Sequence, residues 1–285
     1  MVECNGSTTL CAVIGNPITH TLSPCMHNAA YAATGLNYMY VAFATTDLQA
    51  AVAGMKGLRI RGFSVTIPHK IEIMRYLDEV APLAQRIGAV NTVTNDNGIL
   101  HGTNTDGYGA LHALEALESL CGKSVVILGA GGAARAIAFT IAHERNLRRL
   151  VLVGRNPDKV DSLVRDLSRD SGTPIVSTTF ARDALREAFA EADIIINTTP
   201  VGMTPNIAET PVPGDLFSEC HLVFDTIYNP AKTRLLLEAE RRAARILNGV
   251  PMFVYQGAVQ FRLWTGLEPP ILEMRSAVER ALGTS

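Results

Sequence analysis

The stretch "KSVVILGAGGAARAIAFTIAHE" (residues 123–144) decides the fold. Ser124 to Leu128 is an apolar, β-branched run with no polar alternation, the pattern of a parallel strand buried on both faces. G-x-G-x-x-A follows, with Gly129, Gly131 and Ala134 at the spaced positions, and then a helix-forming run of small residues. Glycine-rich turns also occur as plain strand–helix connections. Strand, glycine turn and helix in this order point instead to a nucleotide site. Gly129 permits the tight turn, Gly131 lets backbone approach a pyrophosphate, and the helix N-terminus offers N–H donors to phosphate.

The end of the next strand selects the nucleotide. An NAD site places Asp or Glu there, against the ribose hydroxyls. Here "LVLVGRN" (150–156) supplies Gly154 and Arg155, with Lys159 one helical turn later. A carboxylate would repel a 2′-phosphate, whereas arginine grips it with two charge-assisted hydrogen bonds, so the expected cofactor is NADP.

Outward from this unit the chain keeps alternating. Strands are predicted at 192–200, 221–228 and 245–249, and helices at 107–117, 158–170 and 231–243. Before it come strands at 9–15, 38–45 and 62–68, and helices at 23–35, 47–58 and about 69–77. Ser23 is the expected N-cap of the 23–35 helix, with Pro24 at N1, and Asp47 caps the next. Residues 89–107 read as a hairpin turning at Asn97–Gly98. Helices at 252–266 and 269–283 complete the pattern, and the residues alone leave open which domain they join. The fold class is α/β in two domains, one with a mostly parallel sheet and one of Rossmann type.

Length and composition agree with this. A chain of 285 residues suits two domains. With 47% hydrophobic and 18% charged residues and a formal net charge of −2, nothing favours nucleic acid as a partner. The apolar runs are broken by glycine and arginine, so no membrane span or signal peptide is expected. Five scattered cysteines without a C-x-x-C pair fit free thiols in a cytoplasmic protein, and seven dispersed histidines give no metal site.

Three loops before residue 107 are dense in polar groups: "GNPITHTLSP" (15–24), "SVTIPHK" (64–70) and the stretch from "GAVNTV" to "HGTNTDG" (88–107). Hydroxyls at Thr21, Ser23 and Thr66, the Asn91 amide, and the ions Lys70 and Asp106 suit a small polyhydroxylated acid. Lys70 falls at the expected start of a helix, where N–H groups favour anions over cations. A cation there calls for a carboxylate partner such as Asp106 and for a task. Supporting proton transfer to a carbonyl oxygen as hydride arrives is the task a nicotinamide enzyme would set.

Taken in order, "GNPITHTLSPCMHN", "SVTIPHK", "GAVNT", "GTNTDG", "GAGGAAR", "IINTTPVGM", "DTIYNP" and "YQGAVQFRLWTG" resemble the motifs of the shikimate dehydrogenase family, across nearly the whole chain. The resemblance implies NADPH-dependent interconversion of 3-dehydroshikimate and shikimate on the route to aromatic amino acids. It implies Lys70 and Asp106 as the catalytic pair and Thr21 and Ser23 as ligands of the substrate carboxylate. Thr66, Asn91 and Gln256 would hold ring hydroxyls, and Tyr228 would line the site. Gly129, Ala130, Gly131, Gly132, Ala133 and Ala134, with Gly154, Arg155, Asn156 and Lys159, would form the cofactor site. It also implies a discontinuous substrate domain, 1–106 with 257–285, around a cofactor domain at 107–256, in a monomer or homodimer. Two positions depart from the family pattern: Thr21 replaces the usual serine, and Ser64 stands where asparagine is frequent. Both leave room for a quinate/shikimate dehydrogenase as the alternative. An NADP(H) sensor without turnover would be expected to lack Lys70 or Asp106, and both are present.

Overall fold

The apolar run Thr9–Gly15 forms strand β1, flanked on both sides by parallel neighbours in a six-stranded sheet. The computed structural model describes residues 4–169 and 171–283. They divide into two units, one reaching Gly109 and resuming at Val254, the other Ala110–Phe253.

In the first unit, β1 leads to α1 (Ser23–Ala33), β2 (Tyr38–Ala44), α2 (Leu48–Gly57), β3 (Gly62–Val65), β4 (Glu79–Val80), α3 (Pro82–Ile87), β5 (Thr92–Asp96), β6 (Ile99–Thr103) and the start of α4 (Asp106–Glu115). The sheet order is β2-β1-β3-β5-β6-β4, and only β5 runs against the rest. Asn97 and Gly98 turn the β5–β6 hairpin with φ of 54° and 98°, the left-handed pair that a type I′ turn requires.

Three local expectations change. Ser23 is the first residue of α1 rather than its cap, and the cap position, Leu22, makes no side-chain bond. The Thr21 hydroxyl accepts from the Ser23 N–H instead, at 3.3 Å. The helix expected over 69–77 is a turn followed by a five-residue 3₁₀ segment, Glu72–Tyr76. Its cause is the Lys70 carbonyl, which accepts from the Val90 N–H at 2.8 Å and so leaves the helical ladder. Lys70 therefore does not sit in a helix dipole. The two-residue strand β4 is too short to leave a periodic signal.

The second unit continues with β7 (Ser124–Leu128), α5 (Gly132–Glu144), β8 (Arg149–Val153), α6 (Pro157–Ser168), β9 (Ile175–Thr178), α7 (Arg182–Ala190), β10 (Ile194–Asn197), β11 (Leu222–Asp225), α8 (Arg234–Arg241) and β12 (Arg245–Leu247). All six strands are parallel, in the order β12-β11-β10-β7-β8-β9. Numbered from β7 as one, this is 3-2-1-4-5-6, the doubly wound dinucleotide-binding order, with its switch point between β7 and β10. The edge strand β9, half-exposed and preceded by Gly172 and Pro174, is an addition to the strands expected from sequence.

The chain returns to the first unit within α9 (Gly249–Thr265) and ends its described course in α10 (Ile271–Leu282). Trp264 of α9 is fully buried, and its indole N–H donates to the Val93 carbonyl at 3.1 Å. A side chain at Gly62 would overlap that indole, so the glycine is what lets α9 close on β3. No described helix is long and apolar enough to cross a membrane.

His27 of α1 lies in this core, stacked on Tyr40 with ring centroids 4.4 Å apart. Burial pushes its pKa from 6.5 down to about 3, so it is neutral in the fold. The unfolded chain takes up this proton below pH 6.5 and the folded chain only near 3. The contribution is therefore present above 6.5 and lost as pH falls through that window, by about 1.4 kcal/mol per pH unit. Urea unfolding between pH 7.5 and 5 should show this acid-side slope in the native chain and a shallower one in His27→Asn; equal slopes would refute it.

Candidate active site

Register builds the site's edge. Ile14 pairs with Val65, Ser64 with Thr92, and Thr92 with Thr103. The ends of β1, β3 and β6 and the beginning of the reversed β5 therefore share one edge of the sheet. Reversal of β5 is why Asn91, just before a strand, lies beside residues that follow strands. Loops at such an edge carry ligand sites in α/β folds.

Here the structure brings Lys70, Asn91 and Asp106 together. Lys70 Nζ donates to Asp106 Oδ2 at 2.6 Å, and Asn91 Nδ2 donates to Asp106 Oδ1 at 2.7 Å. Both carboxylate oxygens are thus engaged, and the pair stays partly exposed, 29% for Lys70 and 16% for Asp106 side chains. That exposure leaves the ammonium reachable by a substrate. The backbone is fixed on both sides: Asp106 N donates to Asn104 Oδ1 at 3.0 Å, and buried His69 meets the Thr45 carbonyl at 2.9 Å. Asn104 and Thr45 gave no distinguishing sequence signal, because Asn and Thr are ordinary in loops.

Thr21 and Ser23 meet each other, the Thr21 hydroxyl donating to Ser23 Oγ at 3.2 Å. Thr66 is half-buried just past β3, with its methyl against Gly15, where an added side chain would overlap it. Gln256 is buried on α9. Gly257 beside it lets α9 approach Met26 of α1. Tyr228 belongs to the second unit, packed on Phe253 with centroids 4.8 Å apart, and burial raises its pKa.

The nucleotide loop lies in the second unit. Gly129 has φ of 116°, and a side chain there would overlap the Thr198 hydroxyl, which itself donates to the Leu128 carbonyl at 2.7 Å. Gly129 is thus demanded by the protein, where the loops after β7 and β10 meet at the switch point. Gly131 and Gly132 differ: a Cβ at either meets nothing within 4 Å. Their small size is not required by packing and fits close approach of a ligand. Gly131 is the N-cap of α5 and offers no side-chain bond to the first turn, which carries no acidic residue, so its N–H groups are left to an anion. By contrast Asn156 caps α6, accepting from Lys159 N at 3.1 Å.

Ala130 and Ala133 complete the turn into α5 beside the buried Ala134. A side chain at Gly154 would overlap Val160, so that glycine seats α6 on β8. Arg155 and Lys159 are exposed, and neither forms an ion pair among the described residues. These donors and free cations fit a dinucleotide with an added phosphate. Deeper in the same edge, Asp225 accepts from Asn197 Nδ2 at 3.0 Å and from the Thr233 hydroxyl at 2.6 Å, while burial pushes its pKa up to about 6. Among the described residues, no cluster of three His, Cys, Asp or Glu side chains is placed to hold a metal ion.

Three family models match successive parts of the chain. They are the shikimate dehydrogenase substrate binding domain over residues 13–93, the saccharopine dehydrogenase NADP binding domain over 125–211, and the shikimate 5′-dehydrogenase C-terminal domain over 249–279. A shikimate dehydrogenase (NADP(+)) of Moorella thermoacetica is 46% identical, covering 100% of this chain and 97% of the relative. A solved shikimate dehydrogenase in complex with NADP+ is 42% identical with a TM-score of 0.91, covering 98% of both chains. The Thermus thermophilus shikimate 5-dehydrogenase in complex with NADP(H) and shikimate is 39% identical with a TM-score of 0.85, covering 96% of this chain and 100% of that one.

The two loop glycines should respond oppositely to a methyl group. Gly129→Ala, at positive φ and against Thr198, should cost about 2 kcal/mol in a urea melt, and Gly131→Ala no more than about 0.5. Equal losses would refute the distinction.

Proposed function

The chain belongs to the shikimate dehydrogenase family, and from that membership we propose that it reduces 3-dehydroshikimate to shikimate with NADPH, reversibly, with Lys70 and Asp106 as the reacting pair. The observation that carries this reading is the partly exposed Lys70–Asp106 contact of 2.6 Å at the loop-bearing edge of the first unit's sheet.

NADPH, when bound, supplies the hydride. Residues suited to hold it are the Gly129–Ala134 turn with the uncapped amides of α5, and Arg155 and Lys159 for the 2′-phosphate. Lys70 offers a proton-bearing cation to the ketone oxygen as it gains negative charge, and this interaction is strongest in the transition state. Asp106 keeps Nζ aimed, and Asn91 holds the far oxygen of that carboxylate. Thr21 and Ser23 give two adjacent hydroxyls for the substrate carboxylate, and Thr66 and Gln256 are proposed to hold ring hydroxyls. By the family resemblance Tyr228 is proposed as a substrate-binding residue and Asn156 as a cofactor-binding one. The first unit is then the substrate domain and the second the cofactor domain, and the protein works in the cytoplasm.

Absorbance at 340 nm with shikimate and with quinate, each with NADP and with NAD, tests the reading. NADPH formation with shikimate is expected to dominate, and equal rates with quinate and NAD would overturn the specificity. Lys70→Ala should lower kcat by about a thousandfold with a much smaller change in KM for NADP. Turnover near that of the unaltered enzyme would remove Lys70 from the mechanism. Arg155→Ala should raise KM for NADP about tenfold or more and leave NAD unaffected, since it removes a charge-assisted pair to the 2′-phosphate. An unchanged NADP preference would refute that role.

A further inference from the structure

The Asp106 carboxylate is the end of a buried chain of hydrogen bonds. From the far end, Tyr40 OH donates to Ser64 Oγ at 2.6 Å, and Ser64 Oγ donates to Gln260 Oε1 at 2.8 Å. Gln260 Nε2 donates to Thr92 Oγ1 at 2.9 Å, and Thr92 Oγ1 donates to Asn91 Oδ1 at 2.8 Å. Asn91 Nδ2 then donates to Asp106, which accepts Lys70 on its other oxygen.

The direction of this chain follows from its end. An ionised carboxylate only accepts, so Asn91 must turn its NH₂ group toward Asp106. The Thr105 N–H donates to Asn91 Oδ1 at 2.8 Å and fixes the same orientation. With Oδ1 facing Thr92, the Thr92 hydroxyl must be the donor between them. Its lone pairs are then left for the Gln260 amide, so Gln260 turns Oε1 toward Ser64 and His27. His27 Nε2, 3.3 Å from that oxygen, carries the proton, which leaves Nδ1 as the buried nitrogen without a partner. Every donor along the line points toward Asp106, and such aligned bonds polarise one another.

We propose that Gln260 and Thr92 are positioning residues for the reaction: through Asn91 they hold the Asp106 carboxylate, and with it the Lys70 ammonium, in the reacting geometry. This rests on the reductase reading above. Gln260 and Thr92 are 1% and 0% exposed, so neither touches a substrate. The chain orients and does not conduct protons. Burial raises the Tyr40 pKa, so its phenol holds its proton, and two amides interrupt the line. Freeing Thr92's neighbours leaves the Gln260 amide short of an acceptor and loosens Asn91, and a small displacement of a reacting group is costly in rate.

Thr92→Val keeps the shape and removes the hydroxyl, whereas Thr92→Ser keeps the hydroxyl. Steady-state kinetics with shikimate and NADP at pH 7.5 read the result, with thermal unfolding of each variant alongside. Thr92→Val should lower kcat by about tenfold while both KM values stay within about threefold, and Thr92→Ser should restore most of kcat. If Thr92→Val does not fold, Ser64→Ala, which breaks the same line two steps further out, beyond Gln260, is judged by the same split between kcat and KM. A folded Thr92→Val with full kcat, a loss seen only in KM, or a Thr92→Ser as slow as Thr92→Val would overturn the positioning role while leaving the reductase reading intact. Inactivity of the unaltered enzyme with both substrates and both cofactors would overturn the reductase reading and the positioning role with it.

Discussion

A carboxylate at the start of a helix would ordinarily serve that helix, accepting from its first amides. Asp106 opens α4, yet both its oxygens are taken by side chains from other parts of the sheet edge, Lys70 and Asn91. The amide side chain of Asn104 accepts from the Asp106 N–H instead. This division of labour, with a neighbour serving the backbone so that the carboxylate can serve the lysine, is the constraint on which the first unit's site depends. It requires β5 to run backwards, because only then does Asn91 share an edge with the turn after β3. It also requires the Lys70 carbonyl to leave the helical pattern and bind Val90, which draws the lysine's turn down onto the strand.

The second unit solves a different problem with different means. Its sheet is fully parallel and its two central strands, β7 and β10, are buried along their whole length, so specificity resides in the loops past the strand ends. Gly129 is shaped by the protein's own Thr198, whereas Gly131 and Gly132 are bare where nothing in the protein asks them to be. The α5 first turn is uncapped while α6 next to it is capped by Asn156. A helix start that leaves its donors unpaired is costly alone and sensible beside an anion.

How far the sequence carries can be judged from particular residues. Strand β1 and the turn at Asn97–Gly98 are legible because they depend on local backbone chemistry. The glycine motif is legible because spacing and flanking pattern coincide. Lys70 and Asp106 are legible as ions in polar loops, and their direct contact is supplied by the sheet register. The helix expected at 69–77 fails because one long-range bond, Val90 to Lys70, outweighs a good local pattern. Strand β9 escapes notice because an exposed edge strand lacks a buried apolar run. Gln260 is hidden for a further reason. Periodicity assigns a glutamine in an amphipathic helix to the solvent face, and only tertiary structure shows it turned inward among Ser64, Thr92 and His27.

The way α9 completes the first unit has a bearing on how the chain folds as it is made. By the time a ribosome has delivered Gly109, every strand of the first sheet has been synthesised, but Trp264 and Gln260 have not. The nascent sheet then has an indole-sized gap over Gly62 and a Thr92 hydroxyl that still lacks its Gln260 donor, and it can close only after Ala110–Phe253 has also been released. That intervening stretch is contiguous and carries a hydrophobic cluster of its own, drawn from residues between Val126 and Ala244, so it is free to fold first. The earlier-made part of the protein is thus the later to mature. Its interval of exposed apolar surface is the vulnerable moment of synthesis, when a holding chaperone would matter most.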